Sequence, residues 1–221
     1  MADLIIKPST SNDSLKFQKS DGTTAIDITG TTATLDSGLS LSPFQSGFAL
    51  VKKFNNITVS NSAVSFNDIF NTTYKDYLMY LTGTTNNGGT QSYINMRFRN
   101  NSSGQDSSSN YRFALRGYDN GGSSRTHTGT SVQRIDLTNG QDAGASDDEK
   151  TMAIQVFFYA PKLSQETMVN IHSTFFRDST LIANYGGGAH MTSFAADGID
   201  LYSSHSSFTM VIDLYVYGLK S

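Results

Sequence analysis

Turn-forming residues interrupt this chain too often to leave room for helices. Asn-Asn-Gly-Gly stands at 86–89, Asn-Asn-Ser-Ser-Gly at 100–104, Asn-Gly-Gly at 120–122, Asn-Gly at 139–140 and Gly-Gly-Gly at 186–188. The stretches between them are short and rich in β-branched and aromatic residues, the mark of strands bounded by turns. Strands are predicted at 48–54, 57–59, 77–82, 92–99, 111–117, 132–137, 152–159, 168–177, 190–194, 199–202 and 208–219. In the last, Met210, Ile212, Leu214, Val216 and Leu219 on one side and Val211, Tyr215 and Tyr217 on the other predict burial of both faces. Only 63–71 is expected to form a helical turn. Many short strands with regular turns predict an all-β fold, an antiparallel two-sheet sandwich of jelly-roll type.

A different rhythm precedes it. Gly22, Gly30 and Gly38 recur every eight residues, and apolar residues alternate with polar ones between and after them: Ile26 and Ile28, Ala33 and Leu35, Leu39 and Leu41. This is the pattern of small hairpins. The arm closes at Pro43, which divides the chain into an N-terminal β arm, 1–43, and a sandwich domain, 44–221. An arm of this length lies near the lower limit of about 40 residues for independent folding. Its apolar positions (Ile26, Ile28, Leu35, Leu39, Leu41) are therefore expected to be buried against the sandwich, against copies of the arm, or in a larger assembly.

Charge and chemistry exclude more than they assign. The 221 residues include 16 basic and 19 acidic side chains, against 30 Ser, 24 Thr and 16 Asn. A net charge of −3 provides no cationic field for nucleic acid or an anionic membrane. Zero cysteines exclude thiolate chemistry, Cys-ligated zinc and disulfides. No basic-then-apolar leader opens the chain, and no apolar run reaches the roughly 18 residues of a membrane helix, so synthesis in a cytoplasm is expected. Of the histidines, His127 is assigned to a polar loop, His172 to a structural role in a strand, and His190 to turn chemistry after the three glycines. His205, set among serines, has only a superficial likeness to a base beside a nucleophile, because adjacent strand residues face opposite ways. Asp142, Asp147, Asp148 and Glu149 are read as a solvated loop, with Ca²⁺ the alternative. Arg97, Arg99, Arg112 and Arg116 are read as surface residues or inter-subunit ion pairs. No catalytic residue, metal ligand or cofactor is assigned. The candidate contact patch is Tyr118, Asp119 and Arg125, expected together in one long loop over 116–125.

The opening MADLIIKP, with SLKFQKSDG at 14–22 and AIDI at 25–28, resembles the start of small structural proteins of tailed bacteriophages of marine bacteria. The remainder resembles a module at the ends of phage fibres, through FNDIF at 66–70, YKDYLMYL at 74–81, INMRFRNN at 94–101, IDLY at 199–202 and LYVYGLK at 214–220. The resemblance implies a non-enzymatic virion protein assembled in the bacterial cytoplasm. It would be a homotrimeric tail-fibre or tail-tip component, bound by its arm to other virion proteins and presenting the sandwich to a host-surface glycan. A capsid decoration protein and a glycan-degrading tail enzyme are the competing expectations.

Overall fold

Alternation builds the sandwich strand by strand. In the computed structural model, strand β10 (Tyr111–Asp119) buries Tyr111, Phe113, Leu115 and Gly117 and exposes the residues between them. Strand β14 (Thr167–Arg177) does the same with Thr167, Val169, Ile171, Ser173 and Phe175. A period of two turns one face of each strand inward. The structure describes residues 5–8, 14–18, 24–29, 32–35, 47–85, 92–140, 150–177, 179–206 and 208–219. Leu39, Leu41, Pro43 and the acidic cluster at Asp142, Asp147, Asp148 and Glu149 lie outside them.

The chain divides into two compact units, Met1–Gln45 and Ser46–Ser221. In the first, β1 (Ile5–Pro8), β2 (Ser14–Gln18), β3 (Thr24–Thr29) and β4 (Thr32–Leu35) form an antiparallel meander in sequence order. Its register aligns Ile6, Phe17, Ile26 and Leu35 in one row and Pro8, Leu15, Ile28 and Ala33 in another. Both rows have the same parity on every strand, so they share one face.

The second unit has two sheets. The larger adds β5 (Phe48–Val59), β7 (Asp76–Thr85), β11 (Ser124–Val132), β13 (Lys150–Tyr159), β15 (Thr180–His190) and β17 (Met210–Leu219) to β10 and β14. Their order is β11-β10-β15-β14-β13-β7-β17-β5, antiparallel throughout. The smaller holds β12 (Ile135–Asp136), β8 (Ile94–Asn100), β16 (Gly198–Ser203) and β6 (Val64–Phe66) in that order, with β9 (Gly104–Gln105) paired to β8. Met79, Leu81, Ile154, Val156 and Leu214 from the larger sheet share one buried core with Ile94, Met96, Phe98, Ile199 and Leu201 from the smaller. Phe98 meets Phe158 edge-on at 5.9 Å across the interface. The molecule is an all-β sandwich of antiparallel sheets, and no helix occurs among the described residues.

Several local expectations are corrected. The segment 63–71 makes no helical turn: Val64–Phe66 is strand β6, and Ile69 and Phe70 enter the core on a loop whose N–H groups both donate to the Asp197 carbonyl, at 3.0 and 3.1 Å. Residues 48–59 form one strand, bent at Asn56 (φ 53°). The predicted strand 132–137 divides, because Val132 ends β11 while β12 is only Ile135–Asp136. β11 itself is polar along most of its length and carries no apolar alternation by which to find it. β17 buries one face, with Val211, Tyr215, Tyr217 and Leu219 only half-buried.

Gly186, Gly187 and Gly188 form no turn and lie within β15. They are there because neighbouring backbone comes too close: a Cβ on Gly186 would overlap the Ala114 carbonyl oxygen, and one on Gly188 would stand 3.0 Å from that of Arg112. Gly186→Val is therefore expected to lower unfolding free energy by about 1–3 kcal/mol through forced strand separation, read from urea denaturation. Unchanged stability would mean that β10 and β15 can part without cost.

Candidate functional site

The three residues picked from the sequence come together around one small cavity, with Gly117, Asn139 and Asn184, but they do not share one long loop. β10 continues through Asp119 and β11 begins at Ser124, so the expected long loop is a tight turn over 120–123. Asp119 holds that turn: its Oδ1 accepts the Gly121 and Ser123 N–H groups, each at 2.9 Å, and Gly122 has φ 84°. Register gives the other two different faces of the β10–β11 pair. Arg125 lies opposite Gly117, whose face turns inward, whereas Tyr118 stands on the outward face of β10. There Tyr118 stacks on Tyr185 of β15, with centroids 6.5 Å apart and planes 18° from parallel, and the Arg116 guanidinium lies 5.3 Å from the Tyr118 centroid.

Tyr118 belongs to a larger surface, the outward face of the eight-stranded sheet. Register aligns one row across seven strands: Lys53, Tyr215, Tyr80, Gln155, His172, Tyr185 and Arg116. Large planar groups dominate it, and the Lys53 ammonium lies 5.1 Å from the Tyr215 centroid. On one side of this ridge the adjoining row reads Asp213, Thr82, Ala153, Thr174, Ala183 and Tyr118. Small side chains there leave a groove of about 560 Å³, walled by Phe176 and Leu181. The row on the other side ends in Asn170, Gly187 and Ala114, and a second groove of about 410 Å³ lies over it. Single-residue reading of the sequence misses this face because its members come from seven strands spread between Lys53 and Tyr215.

The histidines are placed differently from expectation. His190 is fully buried, paired with Asp106 through Nε2 and ringed by Phe98, Tyr111 and Phe194, so it is a core residue. His127 lies on strand β11, with Nδ1 3.1 Å from Asp136 Oδ2 but outside hydrogen-bonding alignment. His172 is exposed on the outward face and is no core imidazole. The His205 N–H donates to Ser92 Oγ at 3.0 Å, part of the bend after β16. Among the described residues, no three His, Asp or Glu side chains gather as metal ligands.

The outward face of the smaller sheet satisfies most of its charges internally. Arg99 pairs with the nearly buried Asp200 at 2.8 Å, and Arg97 Nε donates to the Gln133 carbonyl at 2.8 Å while its guanidinium lies over Tyr202. Arg97 and Arg99, read from the sequence as surface residues or inter-subunit ion pairs, thus make these contacts within the chain. Burial raises the Tyr202 phenol, against the opposing pull of Arg97 and Arg134. Asn95, opposite Tyr202 in the register, is fully buried, and neither end of its amide has a partner.

No family model matches the chain, and no curated protein does. Among solved structures, a fructofuranosidase from Schwanniomyces occidentalis in complex with fructosylnystose aligns with all of this chain at 8% identity and a TM-score of 0.28. The chain spans 40% of that enzyme's length, and a likeness this slight carries no argument about fold or activity.

Two measurements follow from the buried polar groups. For Asp106, burial pushes the carboxyl up, but hydrogen bonds from Ser108 and its contact with His190 outweigh this, leaving it below the ordinary value. A carboxylate held low stabilises the fold at higher pH and loses that contribution as pH falls through its folded value. Asp106→Asn should therefore flatten the acid-side fall of Tm below about pH 4; an identical Tm profile for both proteins would contradict it. For Asn95, replacing an unpartnered buried amide by an apolar group of similar size removes a desolvation cost of about 1–3 kcal/mol. Asn95→Leu should raise Tm, and a fall in Tm would show that the amide is needed.

Proposed function

We propose that the protein is a non-enzymatic structural component of a bacteriophage virion, a tail-fibre or tail-tip protein whose arm attaches it and whose sandwich faces the host. The observation that carries this reading is the arm's register. Two rows, Ile6–Phe17–Ile26–Leu35 and Pro8–Leu15–Ile28–Ala33, give a four-stranded sheet one continuous apolar face. A sheet of this size must bury such a face to persist in water. A separate small unit with that need, joined to a complete sandwich, is the arrangement of an anchor with a globular head. The head carries its exposed aromatic groups on the outward face of the large sheet, the kind of surface recognition proteins use. Self-association of the arms into a trimer would bury three apolar faces around one axis.

The test deletes residues 1–45 and follows incorporation into particles. The truncated protein should stay folded, with an unchanged far-ultraviolet β signature, and be absent from purified virions. Truncated protein entering particles at the full-length level would end the anchoring role. Quantitative mass analysis of intact particles supplies the second arm: low copy number at the tail is expected, whereas high copy number over the head would reassign the protein to capsid decoration.

A further inference from the structure

The smaller of the two grooves on the outward face has a floor almost without side chains. Ala114 of β10, Gly187 of β15 and Ala189 line its base, and Thr128 and Thr130 of β11 stand along one side. Gly187 keeps it open, because a Cβ there would lie 2.8 Å from the Val169 carbonyl oxygen. Arg112 and Arg116 are exposed on either side of Ala114 on the same face of β10. At about 3.3 Å of rise per residue their Cα atoms stand about 13 Å apart. The Tyr118–Tyr185 stack stands beside Arg116 at one end.

The charge on this face runs against that of the whole chain. Lys53, Arg112 and Arg116 are exposed cations, in a protein whose net charge is −3. The acids that share the face are occupied: Asp213 Oδ1 accepts the Asn56 N–H at 2.8 Å, and Asp76 Oδ1 accepts the Ala160 N–H at 3.0 Å.

We propose that this groove binds an acidic oligosaccharide, a polyuronate chain lying along β10, with its carboxylates on Arg112 and Arg116 and one sugar ring against Tyr185. A guanidinium fork matches a planar carboxylate in a bidentate pair. The Thr128 and Thr130 hydroxyls both donate and accept, as sugar hydroxyls demand. The nearly flat floor admits a sugar ring edge, and the tyrosine pair offers an aromatic face for the ring's C–H groups. A single-stranded nucleic acid carries a charge at every nucleotide and calls for a longer cationic track than two arginines. This inference rests on the sandwich being the host-facing unit.

The experiment titrates the full-length protein calorimetrically with a short polymannuronate, at low and moderate salt. A malto-oligosaccharide of equal length, dextran sulfate and oligo(dT) serve as comparisons. Polymannuronate should bind saturably and more weakly as salt rises. Arg112→Gln with Arg116→Gln should weaken it about tenfold or more, the worth of charge-assisted hydrogen bonds, at unchanged Tm. Tyr185→Ala should also weaken it, with Tyr185→Phe close to wild type. The proposal is overturned if polymannuronate does not bind, if the double variant binds as well as wild type, or if any comparison ligand binds as tightly. Particle incorporation is scored separately: a protein that enters virions through its arm yet ignores polymannuronate removes the groove and leaves the virion reading standing.

Discussion

Antiparallel register across eight strands is the constraint on which the rest depends. Each pairing fixes which residues face inward, and a slip of one position on any strand would turn its whole apolar set to solvent. With β13 as reference, Met79, Val156 and Ile171 line up on the inward side, while Leu78, Phe157 and Asn170 line up on the outward side. The core and the outward face are therefore set by the same hydrogen bonds. A change that disturbs one must disturb the other.

That coupling explains where the molecule carries its awkward groups. The triple glycine of β15 weakens a strand by conformational entropy, yet backbone proximity to β10 and β14 leaves no room for larger residues. The same absence of side chains hollows the outward face. On the smaller sheet, Asn95 occupies a fully buried position without a hydrogen-bond partner, a cost that most buried amides avoid. The His190–Asp106 pair shows the opposite solution: it is closed in by aromatic rings, and Asp106 draws further hydrogen bonds from Ser108.

The fold class was legible because apolar alternation and turn residues agree over most strands. β10 and β14 declare their inward faces in single-letter code, whereas β17 carries apolar residues on both faces and conceals which one turns inward. β11 was illegible because Ser124, Thr126, Thr128 and Thr130 have no apolar rhythm, and an edge strand needs none. The glycines at 186–188 misled because glycine marks both turns and close backbone approach, and only the neighbour's position decides which applies. Tyr118 is legible in the sequence as exposed aromatic surface, but its partner is not: Tyr185 lies 67 residues away and meets it only through the pairing of β10 with β15. Asp119 and Arg125 read as parts of one long loop because seven residues of sequence do not reveal a strand boundary.

One end strand of the large sheet, β5, bears on association through its edge. β5 breaks its register twice against β17 and bends at Asn56, while Lys52 and Lys53 place charge along it. Irregular, charged borders offer a poor template for another chain's backbone. An edge of this kind resists zipping with a second copy into a fibril.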